Sequence, residues 1–340
     1  MSSSESDSDA DDLERRLLAD VLLANTVAPA TQIAYNRSVR KFLAFAGVSL
    51  DSLLRRSSRH IDRLLTDYLH HLHREHSPHC YAVHAVYGLI YHAPELKERL
   101  LLSRRSLRGW DRTRGHRSHP PLTWELTVML ALCMARRGLH AEAVASLLAF
   151  ECYLRVGEYM RLQFSDVAVL DDPRLGGAHT GMALRLARTK TGNNQWVTVR
   201  DPAVATVFTQ YLQSRVWMPA DRVFPFSLSH WRRVIRSCCG LLGLGAIPFV
   251  PHSFRHGGAT RDYMRGCSIE QIKLHGRWKS LESARRYIQQ GPALLLLNEV
   301  PVKLVEQAAL LAPYVAQCLS YLRDTVPAAQ PAAKRTVRFH

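Results

Sequence analysis

Between Pro251 and Pro292 the chain carries too many helix stop and start signals for one long helix, so this stretch must break into short pieces. From His252 it reads HSFRHGGATRDYMRGCSIEQIKLHGRWKSLESARRYIQQGP. Pro251 suits the first turn of a helix, and Gly266 can take the left-handed conformation that closes one. Ser268 with Gln271 forms an S-x-x-Q capping box, which opens a second helix over 269–275 that Gly276 ends. Ser280 opens a third helix, expected to carry Tyr287 and to stop at Gly291-Pro292. His252 and Arg255 are three apart and share a helix face, so an imidazole and a guanidinium can point at one target. Arg277-Trp278 fall in a connection. Histidine, arginine, tryptophan and tyrosine thus arrive on consecutive short helices and their junctions.

Elsewhere the periodicity is helical, with one change of period. Helices are expected over 32–46 (capped by Thr31), 58–74, 78–92, 95–102, from Thr123 to about 152, 203–215 and 229–243. Over 165–200 the pattern switches to alternation. MALRLARTK and QWVTV flank the turn chemistry of TGNN, predicting a β-hairpin with Lys190 near its tip, and Val167–Leu170 can complete a small three-stranded sheet. The apolar stretch over 301–323, with Pro313 as a breaking point, either closes the protein's own core or docks on a neighbouring subunit. The fold class is therefore mainly α with a small antiparallel β-sheet. The acidic, serine-rich residues 1–13 and the tail 324–340 are expected to be disordered. Between them lie a helical domain over 14–103, a basic linker over 104–121 and a second domain over 122–323.

The chain is long enough for two cores, and 45 Lys+Arg against 29 Asp+Glu give a net charge of +16, the footprint of a polyanion binder. The linker SRRSLRGWDRTRGHRSHPP places Arg104, Arg105, Arg108, Arg112, Arg114 and Arg117 where they can lie along DNA phosphates; the plainer reading is a solvated charged loop. Seven scattered cysteines without a C-x-x-C pair imply a reducing compartment, with Cys238-Cys239 packing in a core. His70, His71, His73, His76, His79, His84 and His92 with Cys80 fit no zinc spacing and read as surface or DNA-facing residues. No metal or cofactor is expected. No apolar run has membrane-span length, and the acidic N-terminus is neither a signal nor a transit peptide, so an intracellular protein is expected.

The segment from His252 to Tyr287 resembles the catalytic end of the tyrosine recombinases, the phage integrase family. Their signature is H-x-x-R, then His or Trp about two dozen residues on, then a nucleophilic Tyr. ECYLRVGEYMRLQFSDV at 151–167 is similar to the family's first-arginine box, with Arg155 and Glu158. RTKTG at 188–192 is similar to the hairpin carrying the catalytic lysine, here Lys190. TQIAYNRSVRKFLAF matches more loosely the helical domain that precedes the catalytic one. Tyr287 alone would read as a core or interface residue; the joint order Arg, Lys, His-x-x-Arg, Trp, Tyr carries the resemblance. One departure lies at HGRW, where many relatives place glycine directly before the His or Trp, making His275 a rival to Trp278. The GRW form and SHPPLTWEL look most like recombinases of eukaryotic mobile elements, the DIRS-type retrotransposons and cryptons.

The resemblance implies a two-domain C-shaped clamp on double-stranded DNA and strand exchange through a 3′-phosphotyrosine, without ATP or metal. It implies Tyr287 as nucleophile, Arg155 and Arg255 on the phosphate oxygens, Lys190 as general acid and His252 in proton transfer or phosphate binding. Trp278 would donate its indole N–H to the phosphate, and Glu158 would orient a basic residue of the site. Four active sites in a tetramer on DNA follow, with the 301–323 helix a candidate subunit contact, and a nuclear location if the source is eukaryotic. The competing readings are a catalytically silent DNA-binding protein derived from such an element and a metal-dependent nuclease, which needs clustered carboxylates. A type IB topoisomerase would need an extension that the sequence does not show.

Overall fold

The computed structural model describes residues 26–114, 119–170, 181–189 and 192–325. Residues 1–13, Arg117, Lys190 and the tail from 326 lie outside the described residues. The chain divides into two compact units at Arg117–Ser118.

In the first unit, α1 (Pro29–Ala46) begins on proline and ends at Gly47, whose φ of 64° brings its N–H to the Ala44 carbonyl. The hydroxyls of Ser49 and Ser57 cap α2 (Leu50–Leu54) and α3 (Ser58–Arg74). Along α3, Ile61, Leu65, Leu69 and Leu72 form one buried face. α4 (His79–His92) crosses α1 closely at Gly88, where a Cβ would sit 2.9 Å from Val39 Cγ2 and 3.2 Å from Tyr35 Cα. Of the histidines expected at the surface, His71 stacks on Phe45 at 5.0 Å, and His73 and His79 meet the Trp110 ring edge-on at 5.0 and 5.3 Å. These rings serve packing.

The basic linker is where the first unit departs from expectation. Residues 95–102 form no helix of their own: Pro94–Leu96 is a single 3-10 turn, and α5 (Leu101–Thr113) runs through the first half of the expected linker. Leu107 and Trp110 pack into the first unit's core. The cause is Asp62 on α3. Its buried carboxylate accepts the N–H groups of Leu102 and Ser103 at 2.8 and 2.9 Å and the Ser103 hydroxyl at 2.6 Å, capping α5 with a negative charge. Arg105, Arg108 and Arg112 are exposed at spacings that share one helix face. Arg104 donates to the Lys97 carbonyl, and Arg114 pairs with Asp111.

The second unit is built around two helices buried on nearly all sides, α6 (Trp124–Ala135, capped by Thr123) and α7 (His140–Glu151). After a short α8 (Val156–Tyr159), β1 (Val167–Leu170), β2 (Gly181–Arg188) and β3 (Asn193–Val199) form an antiparallel meander. Leu184 stands opposite both Val167 and Val197. Met182, Leu184, Leu186, Val197 and Val199 face the core, as the alternation predicts. Then come α9 (Pro202–Gln213, capped by Asp201), α10 (Leu228–Leu241), α11 (Pro251–Met264) and α12 (Ile269–Gly276, with the Ser268/Gln271 capping box).

The third short helix is shorter than expected. α13 (Leu281–Arg285) ends before Tyr287, and Gly291-Pro292 do not stop a helix but lie in the first turn of the next one, α14 (Gln290–Leu296). A first-turn proline is tolerated because its missing N–H has no partner there anyway. α15 (Val302–Leu311) and α16 (Val315–Thr325) flank a 3-10 turn at Ala312–Tyr314. Leu304, Ala308, Ala312, Val315 and Leu319 all enter this unit's core, so the inner face of the C-terminal pair closes the protein's own interior. Among the described residues no helix is long and apolar enough to cross a membrane.

Candidate active site

Arg155 occupies the N-cap position of α8, and Glu158 sits in that helix's first turn. The Glu158 carboxylate accepts the Arg155 main-chain N–H and its guanidinium, both at 2.8 Å, and Arg277 Nη2 at 3.1 Å. Burial alone would raise the Glu158 carboxyl, but Arg277 and the Arg155 N–H outweigh it and hold the group below the usual range. Arg277 had no place among the expected site residues. It takes a left-handed φ of 56° and also donates to the carbonyls of Cys152, Tyr153 and His275.

α11 lies unusually close to its neighbours because of Gly257 and Gly258. A Cβ on either would come within 1.9 Å of the Leu122 carbonyl oxygen or 2.0 Å of that of Phe150. This approach seals Arg255 in the interior with no exposed surface. Its terminal nitrogens donate to the carbonyls of Tyr153 and Gly276, and its guanidinium lies over the rings of Trp278 at 4.4 Å and Tyr287 at 5.0 Å. Burial, with Arg155 and Arg277 nearby, brings Arg255 down to about 9.

Tyr287 stands at the centre of an aromatic cluster. Its ring centroid is 5.3 Å from His252 and 4.7 Å from both Trp278 and His256, the last nearly parallel. The Thr260 hydroxyl and the His256 ring reach the Tyr287 carbonyl at 3.3 Å. His256 and Thr260 were not foreseen, although they follow His252 at four-residue steps and share its face of α11. Burial first, then His256 and Arg255, bring His252 down to about 4; burial and Arg255 do the same to His256. Both imidazoles are therefore neutral near pH 7.

Trp278 is packed by an absence. A Cβ on Gly276 would fall 1.8 Å from Trp278 Cζ3. The indole N–H is buried with no acceptor among the described residues, as is Arg255 Nε. His275, the rival to Trp278, hydrogen-bonds the Glu151 carbonyl at 2.8 Å and meets the Tyr153 ring edge-on. Lys190 lies outside the described residues; the hairpin is closed beside it by Thr189 N–H donating to the Gly192 carbonyl at 3.0 Å.

Behind the cluster a second polar network holds Tyr153, itself left-handed at φ 45°. Its hydroxyl donates to Asp262, which also pairs with Arg200, while Glu151 pairs with Arg261. Among the described residues no group of three or more His, Cys, Asp or Glu side chains is placed to hold a metal ion.

Site and fold together define a mainly helical unit with a small sheet, in which a buried arginine lies against a half-buried tyrosine. Residues 128–293, which lie within this second unit, match the phage integrase family. Among solved structures, XerA recombinase aligns at a TM-score of 0.40 and 18% identity, covering 82% of this chain and 94% of that one. XerH site-specific recombinase bound to a palindromic difH substrate, in a post-cleavage complex, aligns at 0.48 and 12%, covering 72% and 71%. The XerH pre-cleavage complex aligns at 0.37 and 11%, covering 61% and 66%. No curated protein matches the chain.

Proposed function

We propose that the protein exchanges DNA strands through a covalent 3′-phosphotyrosine at Tyr287, without metal or ATP. The observation that carries this reading is the convergence of His252, Arg255 and Trp278 on the Tyr287 ring, within the stretch that matches the phage integrase family. Tyr287 Oη attacks the phosphorus, the P–O5′ bond breaks, and the bond energy is kept in the phosphotyrosine for religation. Neutral His252 takes the tyrosine proton, and Lys190 protonates the leaving 5′ oxygen. Arg155 and Arg255 hold the non-bridging oxygens, while Glu158 orients Arg155. A phosphate oxygen would also give the buried Trp278 and Arg255 N–H groups the acceptors they lack.

Arg105, Arg108 and Arg112, with Arg104, Arg114 and Arg117, contact DNA phosphates without reading sequence. Exchange between two duplexes takes four active sites, hence a tetramer on DNA. The source would be a eukaryotic mobile element acting in the nucleus, which repeat-flanked genomic copies or a circular DNA intermediate would test. A specific observation favours a second reading, a silent DNA-binding protein: the terminal nitrogens of Arg255 are committed to main-chain carbonyls.

One assay separates them. Nicked suicide DNA from the flanks of the source element is incubated with wild type and Tyr287→Phe in EDTA. An SDS-resistant adduct formed only by the wild type supports strand exchange. Salt-sensitive binding with no adduct on DNA from either flank supports the silent reading.

A further inference from the structure

Arg277 stands between Gly276 and Trp278, at the chain's departure from the phage integrase pattern, and no step proposed for Tyr287 uses it. Its side chain is 4% exposed, and its backbone is left-handed at φ 56°, a region that residues with a Cβ seldom enter. Nη1 donates to the carbonyls of Cys152 at 3.1 Å and His275 at 2.8 Å. Nη2 donates to the Tyr153 carbonyl at 3.2 Å and to Glu158 Oε2 at 3.1 Å. These four bonds use all four terminal N–H groups, so none of them is left for a phosphate. Any effect of Arg277 on a bound phosphate passes through another residue.

That residue is Glu158, whose side chain is 2% exposed. Its two carboxylate oxygens are divided. Oε2 takes Arg277 and the Arg155 main-chain N–H, and Oε1 takes Arg155 Nη1 at 2.8 Å. Arg155 is the most exposed of the site's three arginines, and Arg255 and Arg277 are buried. We infer that Arg277 is a positioning residue, which sets the Arg155 guanidinium toward the phosphate by fixing the Glu158 carboxylate. This rests on Arg155 holding the non-bridging oxygens, as proposed above. Without Arg277, Oε2 is held by the Arg155 N–H alone. The carboxylate can then turn to pair bidentately with the Arg155 guanidinium and draw it away from the phosphate.

The plainer alternative is that Arg277 only staples the carbonyls of Cys152, Tyr153 and His275. Glu158→Gln separates the two, because it leaves the donors to those three carbonyls in place while removing the carboxylate.

The test is calorimetric titration of the full-length protein with inorganic phosphate at pH 7, with adduct formation on nicked DNA measured in parallel. Arg155→Ala should weaken phosphate by about tenfold, the worth of one hydrogen bond to a charged group. Arg277→Met, with circular dichroism confirming the fold, should lose as much. Arg277→Lys, which keeps a cation for Glu158, should recover part of the loss, and it supplies the same comparison if Arg277→Met does not fold. In an Arg155→Ala or Glu158→Gln background the Arg277 substitution should cost much less, since only the through-space charge of a cation remains to be lost. An equal loss in either background, an unchanged affinity in Arg277→Met, or a wild type that binds no phosphate would each overturn the assignment. The expected phosphate pattern without a wild-type adduct would keep it and sink strand exchange alone. An adduct formed while Arg277→Met binds phosphate like the wild type would do the reverse.

Discussion

At Gly276 a missing methyl group matters more than a flexible backbone. The left-handed turn that closes α12 is taken by Arg277, and the glycine is needed because the Trp278 ring fills the space where a Cβ would stand. Gly276→Ala should therefore destabilise the second unit by about 1–3 kcal/mol and shift tryptophan emission; an unchanged denaturation midpoint would show that Trp278 has room to move. Three imidazoles, His256 buried and His252 and His275 half-buried, are each brought down to about 4 from an ordinary 6.5. Their folded values lie below the unfolded one, so the unfolded chain binds more protons between these limits. This stability is fully present above pH 6.5 and is lost as pH falls towards 4. Melting temperature should fall over that window, and a flat profile from pH 7 to 4.5 would mean that the imidazoles are hydrated. His252, Arg255, Trp278 and Tyr287 were singled out in the sequence through the family resemblance, and His256 could have been noticed as the next step along one helix face. Arg277 could not, because its partners Glu158 and Tyr153 lie more than a hundred residues away.

Among the elements, the hairpin and the capped helices were legible because their signals are local: alternation, a serine before a helix, a glycine after it. The elements that were misread take their ends from distant groups. α13 stops at Arg285, and just beyond it the Tyr287 carbonyl and the Gln289 N–H are engaged by α11, through Thr260 and His256. α5 forms in an arginine-rich, glycine-containing stretch because Asp62 caps it from forty residues upstream. Its helical form gathers arginines that a linker would scatter. Replacing Arg105, Arg108 and Arg112 by alanine should reduce the slope of log DNA affinity against log salt by about 3. Equal loss across unrelated DNA sequences is expected, since phosphate contacts carry no base information; a slope unchanged from wild type would remove α5 from the DNA interface.

For the molecule as a whole, each unit has its own core, and the C-terminal helices belong to the second. A chain ending at Val300 loses Leu304, Ala308, Ala312, Val315 and Leu319 from that core. It should lose cooperative melting and bind hydrophobic dyes; melting like that of the intact chain would make the pair dispensable for folding. The choice between core closure and subunit docking was open in the sequence, because an apolar helix face does not name what it covers. By itself the sequence determined the mainly helical class, the single small sheet, and the order of arginine, histidine, tryptophan and tyrosine along the chain, since propensity, capping and periodicity act over a few residues. Only the tertiary structure decided that Asp62 builds α5, that Gly257 and Gly258 let α11 press Arg255 into the interior, and that Arg277 joins Glu158. Those outcomes depend on close approaches between segments far apart in the chain, where a missing Cβ or a buried carboxylate acts on whatever the fold brings within a few ångströms of it.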